Sequence, residues 1–402
     1  MKAPSLNWLA VAAWAAALVA VAVSVSLPGK GGKLYPTFVS AGDHFRHGEP
    51  LYGPVPPGQD QYRYGPLAAA AFAPWSEVPA PIGAVLWRWL QAAAFLLALR
   101  AWSRVAVPQV SWAALALLCL PLVLGNVFNA QLNPLVVALL LAGLAAFARD
   151  RYWLAAIAVA GAAAFKVYPL AVGLLLCVIE PRRFVPRLAL AVAIAVALPF
   201  ACQSPEYVGR QFGDWFERVS GDDRTDQPIE RGYHDFQKLL RRWGGPTPLP
   251  AYRALEVMAG GAMAGLLLWG RRHARSRDQQ LQAAAGLGLV WCTLFGPATE
   301  SATYLLLAPV AAHAVLAVNG RPLAERVGVR GVYLLLLSVP VALWFPRPVS
   351  DPYRALIPQA HGAMLLLVWI GWRTVFGLWP SRCPTLSGEP TGVSPRVMPA
   401  IG

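Results

Sequence analysis

Long apolar runs recur along nearly the whole chain, separated by short polar connections. The first runs from Trp8 to Leu27, and others begin near Pro81, Ser111, Asn133, Tyr152, Val167, Val185, Ala254, Leu281, Tyr304, Gly331 and Ile357. A helix needs about twenty apolar residues to cross the hydrocarbon, fewer where neighbours shelter its ends. The pattern therefore predicts an all-α, polytopic transmembrane bundle of about twelve spans. The runs over 111–125, 133–148, 153–165 and 167–180 are short, as expected of helices that end inside a cavity. The first run follows Lys2 but has no small-x-small cleavage site after it, so it reads as an anchor rather than a signal peptide.

Two polar segments are long. The first, about 28–80, contains LYPTFVSAGDHFRHGEPLYG, in which Tyr35, Phe38, Val39 and Phe45 fall near one helical face suited to lying flat at the interface. It ends in a short apolar piece, Leu67 to Pro74, too short to span. The second, about 203–250, holds two amphipathic patterns, QFGDWFERV and DFQKLLRRW. The bundle is expected to be one domain over 1–379. The stretch 380–402, rich in Pro, Ser and Gly, is expected to be a disordered cytoplasmic tail.

Arginine clusters set the orientation. Arg100/Arg104, Arg149/Arg151, Arg182/Arg183/Arg187, Arg271/Arg272/Arg275/Arg277 and Arg321/Arg326/Arg330 each follow every second run. Short basic connections stay in the cytoplasm, which leaves both long segments outside a bacterial plasma membrane. Lys30 and Lys33 run against this pattern and are outnumbered.

Composition agrees. Hydrophobic residues make up 57% of the 402 residues and charged residues 13%, with a net charge of +14. Such a chain cannot cover its apolar surface in water. Because the cations cluster between apolar runs, the charge is a topology signal and no nucleic-acid partner is implied. The five cysteines form no CxxC pair and read as small packing residues; no metal site or cofactor is indicated.

Several constellations could carry chemistry on the outer face. QDQYRYGP (59–66) offers Asp60 as a proton acceptor, Arg63 as a phosphate ligand, and Tyr62 and Tyr64; alternatively Arg63 pairs with Asp60 and the tyrosines mark the interface. GNVFNAQLNP (125–134) presents Asn126, Asn129, Gln131 and Asn133, amides that bind sugar hydroxyls or merely cap a turn. Lys166 in AAAFKVYPL precedes a helix break at Tyr168-Pro169, where it suits a lipid-linked phosphate or snorkels. Glu300 in GPATESATY needs a partner at its depth: Lys166, Arg63, or a substrate proton. Tyr233-His234-Asp235 is either an acid/base pair or solvated loop. Arg88, between two tryptophans, is expected near the headgroups, and GAMAG (261–265) is a helix-packing pattern.

In order, Gly48-Glu49-Pro50-Leu51-Tyr52, Tyr62 to Pro66, Asn129 to Pro134 and Lys166 to Pro169 resemble glycosyltransferase family 87, multi-spanning enzymes of the GT-C class. The likeness covers most of 5–375. It implies a hexose, mannose first, carried on a polyprenyl phosphate, and a glycolipid or glycan acceptor on the same face. Transfer would invert the anomeric centre with a carboxylate as base. Members usually place an acid shortly after the first span, where this chain has Lys33-Leu34-Tyr35, so the base is sought in the order Asp60, Glu300, Asp43. Lys166 and Arg63 are then expected at the lipid phosphate, with Asn129, Gln131, Asn133, Tyr62, Tyr64, Tyr168 and His234 around the substrates and membrane lipids about the bundle. A transporter or lipid-linked-sugar flippase, or a non-catalytic scaffold, are the alternatives.

Overall fold

The computed structural model describes residues 5–27, 34–54, 60–107, 109–221, 233–245, 247–273, 275–297 and 299–379. Lys30, Lys33 and the expected tail lie outside them. The described residues form an all-helical protein without strands. In chain order the helices are α1 (Leu6–Ser26), α2 (Leu34–His47), α3 (Pro66–Phe72), α4 (Ala80–Ser103), α5 (Trp112–Phe128) and α6 (Asn133–Phe147). Then come α7 (Tyr152–Phe165), α8 (Leu170–Ile179), α9 (Pro181–Ala197), α10 (Pro205–Ser220), α11 (Phe236–Gly244) and α12 (Leu249–Arg272). The last are α13 (Arg277–Leu294), α14 (Ala308–Ala317), α15 (Leu323–Ala342), α16 (Arg347–Ala355) and α17 (Pro358–Phe376).

Every apolar run is helical, but the expectation of about twelve spans narrows. Five helices are long and apolar enough to cross a membrane unaided: α1, α4, α9 with its 3₁₀ extension to Ala201, α12, and α16–α17. Another five are apolar but only 10–17 residues long, and they include α5, α6, α7 and α8. Shortness goes with shelter. α6 is apolar on all sides and packs between α4 and α7, while α13 is buried against α8, α12 and α17. Only 22% of the apolar window of α1 and 17% of that of α12 is buried, leaving their outer faces for lipid.

Local signals fix the ends. Ser276 and Gln279 form a reciprocal capping box at the start of α13. Asp235 accepts from the Lys238 N–H at 3.1 Å and caps α11. At the arginine-rich end, Arg277 binds Asp150 at 2.8 Å and donates to Tyr152 and the Phe147 carbonyl, tying α13 to the α6–α7 turn. Buried Arg373 meets Glu325 at 3.3 Å, joining α17 to α15.

At the opposite end, α2 is not an interfacial helix. Tyr35, Phe38 and Phe45 are buried in a cluster with Phe72 and Trp87, because α3 and α4 cover that face before lipid can. The Phe38 and Phe72 rings stack at 5.0 Å, and Phe72 meets Trp87 at 4.7 Å. Gly42 makes this fit possible: a Cβ there would lie 2.4 Å from the Phe72 carbonyl carbon. The two long polar segments bind each other. Tyr207 donates to the Glu49 carbonyl at 2.7 Å, and the Leu51 N–H donates to Gln211 at 2.8 Å.

Two further expectations are corrected. Arg88 is fully buried and donates to the Phe128 carbonyl at 3.0 Å and to Ala84 at 2.8 Å, so it satisfies the open C-terminus of α5 rather than reaching headgroups. Gly261 and Gly265 face open space, with no atom within 4 Å of an added Cβ, so the two glycines of GAMAG bring no helix close among the described residues, and it is Met263 between them that packs into the core.

Gly42→Val should separate α2 from α3 and cost about 1–3 kcal/mol, seen as a lower thermal midpoint in detergent. Gly213→Ala, on an open face of α10, should be neutral or stabilising; equal midpoints for both variants would refute the close approach.

Candidate functional site

One cavity of about 1760 Å³ opens at the end of the bundle opposite the arginine clusters. Its wall is assembled from one end each of α1, α5, α10, α12 and α15, the α5–α6 and α7–α8 turns, and the segments 60–65, 233–234 and 297–305. Asp60, Lys166 and Glu300, distant in sequence, all line it. So do Arg63, Tyr64, Asn129, Gln131, Tyr168 and His234.

Three candidates do not. Asp43 sits on α2 away from the cavity, 3.5 Å from His47 one turn on. Tyr62 is buried in the aromatic cluster and donates to the Gly65 carbonyl at 3.0 Å. Asn133 lies behind the wall, 1% exposed.

The position of Asn133 organises the cation. The Lys166 ammonium donates to Asn133 Oδ1 at 2.8 Å, and Asn133 Nδ2 donates to Asn126 Oδ1 at 3.0 Å. The ammonium also lies 5.7 Å from the Tyr168 ring centre. α7 stops here because Lys166 is extended (φ −148°, ψ 131°) and Tyr168-Pro169 cannot continue the turn. Burial pushes Lys166 down to about 8, while the Glu300 carboxylate pulls it back up. Its remaining donors meet no hydrogen-bond partner among the described residues and are free for an anion.

The two cavity carboxylates differ in setting. Among the described residues neither Asp60 nor Glu300 has a cation within 4.0 Å, so the expected ion pairs with Lys166 or Arg63 are absent as contacts. Arg63 donates instead to the Tyr233 hydroxyl at 2.6 Å. Asp60 is held through its backbone, whose carbonyl accepts from Thr37 at 3.2 Å. Burial first, then the Glu300 charge, raises the Tyr64 phenol above its usual range, so it stays a neutral hydroxyl.

His234 is locked by its backbone: its N–H donates to the Thr299 carbonyl at 2.6 Å and its carbonyl accepts from Tyr304 at 2.5 Å. Burial, then Lys238 and Arg354, push its imidazole down to about 3, so it is neutral at physiological pH. With the Asp235 carboxylate capping α11, the expected His–Asp acid/base pair gives way to a neutral ring on the cavity wall.

Sequence inspection missed Trp215, Arg218, Arg253, Glu256 and Arg354, all on the wall. For α10 the signal was available. Tyr207, Gln211, Trp215 and Arg218 recur at helical spacing on its inner face, where Arg218 donates to Gln61 at 2.8 Å and to the Tyr52 carbonyl at 3.0 Å. Arg253 and Glu256 sit in an apolar run and carried no such signal.

The sequence model of glycosyltransferase family 87 matches residues 62–297. The match takes in Arg63, Lys166 and the asparagine turn, and stops short of Asp60 on one side and Glu300 on the other. It is narrower than the span of 5–375 expected from the motifs. No curated protein matches the chain.

An amine-acylating reagent should modify Lys166 with a midpoint near pH 8 rather than 10.5. Asn133→Asp, which faces the ammonium with a carboxylate, should move that midpoint up by about one unit or more. Peptide mapping across pH measures both, and an ordinary lysine midpoint in the parent protein would refute the buried ammonium.

Proposed function

The chain belongs to glycosyltransferase family 87 and is a membrane glycosyltransferase, and we propose that it moves a hexose, mannose first, from a polyprenyl phosphate to a glycolipid or glycan acceptor. The convergence of Asp60, Lys166 and Glu300 on one cavity carries this proposal. The cavity lies at the end where the topology signals put the outer face of a bacterial plasma membrane. Twelve passes in a GT-C-like arrangement, five long helices with the shorter ones between them, would form its frame.

The proposed chemistry is a single inverting displacement. An acceptor hydroxyl oxygen attacks the anomeric carbon, the bond from that carbon to the phosphate oxygen breaks, and the phosphate leaves with the electron pair. Lys166 and Arg63 neutralise the departing charge. Asp60 takes the hydroxyl proton. Glu300 is the weaker candidate for base, because its charge acts on Lys166 and would repel a phosphate brought closer; its role is to keep Lys166 protonated. Asp43, off the cavity, falls last. Asn129, Gln131 and neutral His234 supply hydrogen bonds to sugar hydroxyls, Tyr64 and Tyr168 wall the pocket, and Tyr62 and Asn133 support from behind.

Asp60→Asn should lower kcat by about a hundredfold or more with little change in donor KM. The kcat/KM for donor should fall as pH rises through about 8, where free Lys166 loses its charge. Removing the Glu300 charge lowers the Lys166 value, so Glu300→Gln should move that fall to lower pH. Radiolabelled polyprenyl-phosphate sugars and a membrane lipid extract provide the assay. Full activity in Asp60→Asn, Glu300→Gln and Asp43→Asn alike would sink the chemistry, and accumulation of sugar in proteoliposomes without a new glycosidic product would favour the transporter alternative.

A further inference from the structure

The arginine-rich end of the bundle puts its cations to two different uses. Around α13 and α17 they turn inward. Arg271 donates to the Val178 carbonyl at 3.4 Å, Arg275 donates to the Val375 carbonyl at 2.8 Å, and Arg373 meets Glu325 at 3.3 Å. Arg277 takes both acids of the turns before α7 and α9, Asp150 at 2.8 Å and Glu180 at 3.9 Å. Around those same turns Arg149, Arg151, Arg182, Arg183 and Arg187 are left with no carboxylate within 4.0 Å among the described residues. Arg149 and Arg187 donate to carbonyls one turn back along the chain, those of Ala145 and Arg183.

One aromatic cluster gathers these cations. Phe147 at the end of α6 meets the Tyr152 ring at 5.3 Å and the Phe184 ring at 5.1 Å, which pins the start of α7 against the start of α9. The Arg187 guanidinium lies 5.5 Å from the Trp153 ring centre and 6.0 Å from that of Tyr152, so it stands over the first residues of α7. Apolar surface begins within a turn of this charge. Leu154 and Ile157 on α7 and Leu190 and Ile194 on α9 are exposed. The two helices pack along each other, and only 22% of the apolar window of α9 is buried. A small soluble anion makes no use of that surface. Guanidiniums held in place, an exposed tryptophan at the boundary and two lipid-facing helices together fit an amphiphile with an anionic head.

We propose that the α7–α9 face at the arginine-rich end is a fixed binding site for one anionic phospholipid, its phosphate held by Arg151, Arg183 and Arg187 and its acyl chains lying along Leu154, Ile157, Leu190 and Ile194. The site is at the opposite end of the bundle from the cavity and does not depend on the reaction proposed above. A planar guanidinium matches phosphate oxygens two at a time. Charge attraction and apolar contact then act on the same molecule, whereas a zwitterionic lipid brings the same chains with no net charge to attract.

Two measurements on the full-length protein test this. The first titrates it in detergent with phosphatidylglycerol or phosphatidylcholine and reads the adducts by native mass spectrometry. Phosphatidylglycerol should be retained one-to-one, about tenfold or more tighter than phosphatidylcholine. Arg183→Gln with Arg187→Gln should lose that preference. Arg272→Gln with Arg330→Gln, which removes the same charge from exposed positions at the same end, should keep it. Equal retention of the two lipids by the parent protein, or an equal loss in both double variants, overturns the site, since the attraction would then be diffuse. Displacement of phosphatidylglycerol by inorganic phosphate also overturns it, because the cations would then serve a soluble anion. The second measurement uses phosphatidylglycerol with a diazirine on its acyl chain, in nanodiscs of phosphatidylcholine. Labelling of peptides over 151–157 and 183–194 supports the site, and labelling spread evenly over the lipid-facing helices overturns it. This readout uses the parent protein, so it decides the matter even where the glutamine pair does not fold.

Discussion

A single ammonium whose hydrogen-bond partner is a neutral side chain is the constraint around which this structure is arranged. Lys166 sits where α7 ends, and its hydrogen-bond partner is an amide, not a carboxylate. A charge taken from water without an opposite charge in contact is costly, and the Asn133–Asn126 pair offsets only part of that cost. The remainder is left for an anion. Bringing the turns after α5 and α7 together at one depth requires short, sheltered helices, and α5 to α8 are the short ones.

The two long polar segments complete the enclosure. α2 and α3 stack their aromatic rings over α4, and α10 is pinned to the chain after α2 through Tyr207 and Gln211. This cap carries Asp60 and Arg63 on one strand of irregular chain and Arg218 on a helix, and sets them across from Lys166 and Glu300. Asp60 and Lys166 are held on different elements and make no ion pair, which suits a reaction that needs a base and a phosphate ligand at once. Arginine has opposite duties at the two ends of the molecule. At the arginine-rich end Arg277 is consumed in contacts with Asp150, Tyr152 and a helix C-terminus, whereas at the cavity the Arg63 guanidinium donates to a phenol and to no carboxylate among the described residues.

Hydropathy and arginine spacing alone identified a helical membrane protein, its apolar runs and the end at which its polar residues gather, because these follow from one-dimensional periodicities and transfer free energies. The motif order pointed to the family, and the Tyr168-Pro169 break marked where Lys166 leaves its helix. What only tertiary structure decided is which polar groups share a space. Asp60 and Asp43 look alike in sequence, yet α3 and its 3₁₀ extension bury one face of α2 and leave Asp43 outside the cavity. Asn129 and Asn133 stand four residues apart on either side of the α5–α6 connection, yet only one faces the cavity while the other braces a lysine. Arg88 reads as a headgroup contact until Phe128 is seen to end a helix beside it. In each case the deciding quantity is a neighbour distant along the chain, and no local pattern encodes the distance between two helices that meet only when packed.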